Sequence, residues 1–225
     1  MSLQDTLKLK AVLFDMDGTI LDTERIHKQC WEQAMEAVGA KYSPNTFYDL
    51  IGLNDKSTCE YFKAHFGFTE KQYEEMSVCA YALSREYGET NGLPVKKGFF
   101  ELSEYLVSHK IKTAVVTSSF RSEALHNFQR AKITTPFDII IGGDSVSSGK
   151  PSPEPYLKAA EGLGLRPEEC IAVEDSVNGI KSAHKAGIKC VYIKDLVEVP
   201  EEILALAEYK AESLDKILDI MENFN

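Results

Sequence analysis

The sequence predicts an α/β fold, with a doubly wound parallel sheet and an all-helical insert. Five short segments are almost continuously apolar, which is typical of strands covered by helices on both faces. Helical patterns lie between these segments, and the alternation of strand and helix favours a parallel, Rossmann-like sheet. One connection is much too long for a single crossover helix, which predicts the insert.

The predicted strands are rich in β-branched and aliphatic side chains and show little polar alternation. After the fourth strand, Val177, Ile180 and Ala183 repeat at helical spacing, and Gly187 is a natural helix stop. Near the C-terminus, Leu214 begins a further stripe of apolar residues at positions i, i+3, i+4 and i+7. The five strands are predicted at residues 11–14, 113–116, 139–141, 171–173 and 190–193.

The insert follows the first strand. About 100 residues separate Asp15 from Thr117, whereas a crossover needs only a dozen or more. Helical spacing at residues 26–38, 57–66 and 70–87 fills most of this stretch. We therefore predict a core domain of residues 1–22 and 93–225 and a helical cap domain of residues 23–92. Since ligands bind at the carboxyl ends of parallel strands, the insert is expected to cover the site.

Composition excludes several classes of partner. The 225 residues carry a formal net charge of −10, which argues against nucleic acid or an acidic membrane as partner. The five cysteines show no C-x-x-C spacing, and no segment approaches the length of a membrane span. Without the apolar stretch of a signal peptide, the chain is expected to be cytoplasmic, as a monomer or weak dimer.

Polar side chains follow four of the predicted strands where each one ends. In a parallel sheet these ends lie at one edge, so the side chains should gather there. Crowded carboxylates need a counter-charge, and their hard oxygens suit Mg²⁺. A carboxylate can attack phosphorus, while hydroxyl groups and a lysine can hold phosphoryl oxygens. The residues are Asp15, Asp17, Thr117, Ser118, Lys150, Glu174 and Asp175.

Four segments carry a resemblance to a known family. DMDGT, VVTSS, GKPSPEPY and VEDSVNG resemble, in order and place, the four motifs of the haloacid dehalogenase (HAD) superfamily. The resemblance covers about residues 9–193, and the insert occupies the place of the helical cap in β-phosphoglucomutase-like phosphatases. It implies an Mg²⁺-dependent phosphatase that forms an aspartyl-phosphate intermediate.

The resemblance also implies roles for the first-motif acids and the metal site. Asp15 would be the nucleophile and an Mg²⁺ ligand. Asp17 would protonate the leaving oxygen, activate the hydrolytic water and offer its backbone carbonyl to the metal. Asp175 would bind Mg²⁺, with Glu174 as a ligand either directly or through water. Dehalogenase members of the superfamily lack an acid at the position of Asp17, whereas phosphatases and phosphomutases have one. The presence of Asp17 therefore favours phosphoryl transfer, because an alkoxide leaving group needs a proton.

The other motif residues would bind the phosphoryl group. The resemblance gives this role to Thr117 and Lys150, with Ser118 as a further candidate. Simpler interpretations stay open for several positions: a turn at the first motif, helix capping by Ser119 or by Asp175 and its neighbour, and a solvated Lys150.

Below the superfamily level, the sequence favours hydrolysis of a small phosphomonoester such as a sugar phosphate or a nucleotide. β-Phosphoglucomutases place an arginine in a cap loop, whereas the matching stretch here, IGLNDKST, has Lys56, which lacks the bidentate fork of arginine. Residues 52–56 are expected to set specificity. The alternative is a mutase that transfers the phosphoryl group within one substrate. A third hypothesis is a phospho-accepting or inactive binding module.

Overall fold

A computed structural model describes residues 9–40, 43, 46–50, 55–134 and 137–222. The chain divides into two compact units, which are described separately below. The first comprises Met1–Asp22 and Pro94–Asn225, and the second comprises Thr23–Leu93.

The first unit contains a six-stranded sheet in which every pair of neighbouring strands is parallel. The strands are β1 (Ala11–Phe14), β2 (Lys112–Val116), β3 (Ile139–Ile141), β4 (Cys170–Glu174), β5 (Lys189–Ile193) and β6 (Tyr209–Ala211). Their spatial order is β3-β2-β1-β4-β5-β6. From β1 the chain first adds β2 and β3 on one side. It then crosses back and adds β4, β5 and β6 on the other side, so the direction of winding switches between β1 and β4. Such a switch point is where open α/β sheets bind ligands.

Helices cover both faces of this sheet. They are α5 (Phe99–Ser108), α6 (Arg121–Arg130), α7 (Glu154–Gly162), α8 (Val177–Lys185), α9 (Glu201–Leu204) and α10 (Ile217–Glu222). Alternate residues of β1 point to opposite faces: Leu13 belongs to the core formed with α7 and α8, while the Phe14 ring meets Phe99 edge-to-face at 6.2 Å between centroids. All four residues of β1 are buried, as a strand covered on both faces requires.

The predicted α/β fold class is confirmed, and all five predicted strands are present within one or two residues. The sixth strand, β6, was not predicted. It has three residues, of which two are half-buried and Lys210 is exposed, because it lies at the edge of the sheet and lacks a continuous apolar run. The predicted C-terminal helix begins as a 3₁₀ turn at Leu214–Lys216 before α10.

The described residues of the second unit form helices and the short connections between them. Its helices are α1 (Glu24–Ala37), α2 (Thr46–Leu50), α3 (Asp55–Phe66) and α4 (Glu70–Asn91). Phe62 is fully buried at the centre, and Trp31 stacks on it with ring centroids 5.8 Å apart. Thr69 and Gln72 form a capping box at the start of α4, which satisfies two backbone N–H groups. Within the described part of the chain, no helix has the length and apolarity that a membrane span requires.

Candidate active site

The turn that follows β1 places the first predicted acids. Asp15 continues the strand, since its N–H donates to the Val173 carbonyl at 3.0 Å. Gly18 then adopts φ +81°, a left-handed conformation that favours glycine. A Cβ atom at Gly18 would collide with the carboxylate of Asp175. The glycine therefore lets the turn approach the end of β4 closely.

Lys150 lies at the centre of the site. Its Nζ donates to Asp15 Oδ1 at 2.5 Å, to Glu174 Oε1 at 2.6 Å and to the Val116 carbonyl at 2.8 Å. Its side chain is only 5% exposed, so the ammonium is held by protein acceptors on three sides. Three acceptors satisfy the three protons of a lysine ammonium. The loop before α7 thereby joins the carboxyl ends of β1, β2 and β4.

Glu174 is fully buried at the end of β4. Besides Lys150, the hydroxyl of Tyr156 donates to its Oε1 at 2.6 Å, and Ser176 Oγ donates to its Oε2 at 3.1 Å. A Cβ atom at Gly179 would overlap the Glu174 carboxyl group. Because Gly179 has no side chain, the first turn of α8 leaves space for the Glu174 carboxylate.

Asp175 follows directly and is less buried. Its Oδ1 accepts a hydrogen bond of 3.2 Å from Thr19 Oγ1, which ties the turn after β1 to the end of β4. The residue that caps α8 is Ser176, whose Oγ accepts a hydrogen bond from Gly179 N–H at 3.0 Å. The simpler interpretation as a cap therefore applies to Ser176, and the carboxylate of Asp175 lies in the acidic cluster.

The second predicted motif lies beside these acids. Thr117 is buried, and its Oγ1 accepts from Ser119 N–H at 3.1 Å. Ser119 Oγ in turn approaches Asp17 Oδ2 at 3.4 Å, so this serine contacts an acid of the first motif. The residue that caps α6 is Phe120, without a side-chain hydrogen bond. Ser118 is exposed on the same loop.

The pKa values of Asp15 and Lys150 are both raised, but for different reasons. Burial raises the pKa of Asp15 well above its usual range; the Lys150 charge offsets part of this effect, and Glu174 and Asp17 raise the pKa further. Burial alone would lower the pKa of Lys150, but the charges of Asp15 and Glu174 outweigh it and raise the pKa above its ordinary value. The ammonium thus stays protonated, while Asp15 binds a proton more readily than a solvent-exposed aspartate.

The donor set fits a hard divalent cation. Asp15, Glu174 and Asp175 each offer a carboxylate oxygen, and these oxygens lie within 4.8 Å of one another. One lysine does not balance three carboxylates, and a divalent cation would supply the missing charge. Oxygen ligands of this kind are those of Mg²⁺, which retains several waters and needs few protein groups.

The structure brings four of the seven predicted side chains together through direct contacts or a shared cluster: Asp15, Lys150, Glu174 and Asp175. Thr117 and Asp17 both contact Ser119. Ser118 shares the loop but has an exposed side chain. Sequence reasoning did not assign Thr19, Tyr156 or Ser176 to the site, although all three lie in or beside the recognised motifs. Residues 52–54 of the segment expected to set specificity lie outside the described residues, so that expectation stays a prediction.

Comparison with known proteins places the chain in a family. A family model described as haloacid dehalogenase-like hydrolase matches residues 12–193. A phosphorylated carbohydrates phosphatase from Thermotoga maritima is 30% identical over 191 residues, which cover 82% of this chain and 84% of that protein. Fructose-1-phosphate phosphatase YqaB from Escherichia coli is 27% identical over 195 residues, covering 81% of this chain and 95% of that protein.

Comparison with a solved structure points to the same family. The crystal structure of a β-phosphoglucomutase candidate from Thermotoga maritima superposes with a TM-score of 0.78 at 27% identity, covering 96% of this chain and 99% of that one. The chain belongs to the haloacid dehalogenase-like hydrolase family. Within that family it is an enzyme of the β-phosphoglucomutase-like and CbbY-like phosphatase group. The predicted family and enzyme class are confirmed.

Proposed function

We propose that the protein is an Mg²⁺-dependent phosphatase that hydrolyses a phosphorylated sugar through an aspartyl-phosphate on Asp15. The observation that carries this proposal is the contact of Lys150 with Asp15 inside a cluster of three carboxylates at the sheet's switch point. The names of the relatives, which act on phosphorylated carbohydrates and fructose 1-phosphate, support the sugar phosphate class.

In the first step, an Asp15 carboxylate oxygen attacks the phosphorus atom. The ester P–O bond breaks, and the leaving alkoxide takes a proton from the Asp17 carboxyl group, which Ser119 contacts. Lys150, the Thr117 hydroxyl and Ser118 hold the phosphoryl oxygens, whose negative charge needs fixed donors. The Lys150 charge beside Asp15 Oδ1 offsets part of the burial effect that raises the pKa of Asp15, and so favours the ionised form needed for attack.

In the second step, a water molecule attacks the phosphorus of the aspartyl-phosphate. Asp17, now ionised, accepts a proton from this water, and the P–O bond to Asp15 breaks to release inorganic phosphate. One acid thus serves both steps, as acid and then as base.

Asp15, Asp175, the Asp17 backbone carbonyl and Glu174 would hold Mg²⁺. When bound, the metal ion supplies positive charge to the phosphoryl oxygens and offsets the crowded carboxylates. The buried hydrogen bonds of Glu174 to Lys150, Tyr156 and Ser176 support an indirect part for this residue, through water.

The test is phosphate release from hexose 1-phosphates, hexose 6-phosphates and a nucleoside monophosphate, with Mg²⁺ present. We expect a sugar phosphate to give the highest kcat/KM and Asp15→Asn to abolish release. Asp219→Asn, which alters an exposed carboxylate on α10, is the matched control and should keep wild-type activity. Wild-type turnover by Asp15→Asn would refute the mechanism.

Product analysis separates the hydrolase from a mutase. With a hexose 1-phosphate, a hydrolase yields free phosphate, whereas a mutase yields the 6-phosphate. Preferred hydrolysis of the nucleoside monophosphate would contradict the sugar phosphate assignment and leave the phosphatase mechanism intact.

A further inference from the structure

We propose that Tyr156 is a positioning residue, whose hydroxyl holds Glu174 so that Lys150 stays bonded to Asp15. The inference rests on the proposed function of Asp15 as nucleophile. Tyr156 lies on α7 and is fully buried. The hydroxyl and the lysine ammonium donate to the same oxygen, Glu174 Oε1, each at 2.6 Å.

A shared acceptor couples the two donors. Lys150 Nζ makes three hydrogen bonds, of which those to Asp15 and Glu174 go to carboxylates that compete for one positive charge. The Tyr156 hydroxyl satisfies part of the negative charge on Oε1, which weakens the hold of Glu174 on the ammonium. More of the lysine charge is then directed at Asp15 and at the phosphoryl group that it receives.

The ring and the hydroxyl of Tyr156 both lie close to the Lys150–Glu174 pair. The Lys150 ammonium lies 5.3 Å from the centroid of the Tyr156 ring, and the Tyr156 hydroxyl donates to the carboxylate that this ammonium binds. The hydroxyl therefore contributes to the site as a hydrogen-bond donor to Glu174.

The second carboxylate oxygen of Glu174 is also held. Ser176 Oγ donates to the second oxygen of Glu174 at 3.1 Å, and Gly179 leaves the room that the carboxyl group fills. Glu174 is thus held by three donors without exposure to solvent. Removal of one donor should change which acceptor the ammonium prefers while leaving the fold in place.

The variant is Tyr156→Phe, which keeps the ring and removes one oxygen. Outer partners that orient catalytic groups are commonly worth about 10- to 100-fold in activity. We expect kcat for phosphate release to fall about 10-fold, while KM stays within about twofold, because the lost contact affects charge in the transition state. Tyr61→Phe is the matched control: it removes a tyrosine hydroxyl that donates to Asp49 at 2.8 Å on the surface of the helical unit.

A second measurement reports the contact without catalysis. In wild type, the buried and triply bonded Lys150 ammonium should exchange its protons slowly enough to give a ¹⁵N–¹H signal in lysine-labelled protein. Assignment comes from its loss in Lys150→Met. We expect the Tyr156→Phe substitution to shift this signal and to speed its exchange, and Tyr61→Phe to leave it unchanged.

Wild-type kcat in Tyr156→Phe would overturn the proposal, and so would a lowered kcat with an unchanged Lys150 signal. Absence of the signal in wild type would also overturn it, because the ammonium would then be open to solvent. If Asp15→Asn keeps wild-type activity, the proposed function fails, whereas the spectroscopic comparison still decides the Tyr156 contact.

Discussion

Replacing Lys150 by methionine tests the central contact through stability as well as activity. The side chain is 5% exposed and binds Glu174, which is fully buried, and Asp15, which is largely buried. Removing one partner of a buried ion pair typically costs about 3–5 kcal/mol, because it leaves an uncompensated charge. Methionine keeps most of the apolar volume, so the packing term should be small.

The structure places the expected cost near the lower limit of that range. Glu174 keeps the donors Tyr156 and Ser176 after the lysine is removed. We therefore expect the free energy of unfolding to fall by about 3 kcal/mol at neutral pH. Without Lys150, one influence that lowers the pKa of Asp15 is lost. The cost should shrink as the pH falls toward the raised pKa, because a proton then neutralises the carboxylate.

Urea unfolding in EDTA measures this cost without interference from a bound cation. Lys158→Met is the matched control: Lys158 is 43% exposed, and its Nζ lies 3.3 Å from Glu154. Such surface pairs contribute about 0–1 kcal/mol. Phosphate release by Lys150→Met should fall by at least about 10². A loss of stability no larger than that of Lys158→Met, or equal losses at all pH values, would refute the reasoning.

Three further predictions concern other contacts. Hydrogen bonds from Lys10, and then from the backbone and side chain of Arg166, lower the pKa of Glu169 from 4.5 to about 2. The stabilisation by the Glu169 carboxylate is therefore complete above about pH 4.5 and disappears as the pH falls toward 2. The difference in urea midpoint between wild type and Glu169→Gln should narrow over that range, and a constant difference would contradict this. Thr69→Ala should cost about 1 kcal/mol through loss of the N-cap; an unchanged thermal midpoint would contradict the capping. Gly18→Ala places a methyl group against Asp175 at φ +81°; we expect weaker Mg²⁺ binding by calorimetry, and wild-type affinity would refute it.

The strands were predictable because burial on both faces leaves a direct signal in the sequence. β1 and β3 match the predicted segments residue for residue, while β2, β4 and β5 are longer by one or two residues. The added residues are Lys112, Cys170, Glu174 and Lys189. β6 left no such signal, because an edge strand with an exposed lysine does not need a continuous apolar run. The long α4 extends to Asn91, beyond the predicted end at residue 87, and Gly92 follows it at φ +77°.

In the candidate site, the acids and Lys150 were predictable from their places after strands. Their hydrogen-bonding partners were not. Tyr156 and Thr19 lie in quoted motifs, but only the packing of α7 and the turn after β1 decides which carboxylate each hydroxyl reaches. The sequence allows Ser119 as a helix cap, whereas in the structure Phe120 occupies that position and the Ser119 hydroxyl contacts Asp17.

The sequence by itself determined which segments form strands and helices and which residues carry charge at the strand ends, because these properties depend on local apolar patterns and on side-chain chemistry. Only the tertiary structure decided that Lys150 donates at once to Asp15, 135 positions away, and to Glu174, 24 positions away. That convergence arises because parallel pairing brings the ends of β1, β2 and β4 to one edge. The sharing of Glu174 Oε1 between a lysine and a tyrosine depends on side-chain packing around a buried charge, which no local pattern encodes.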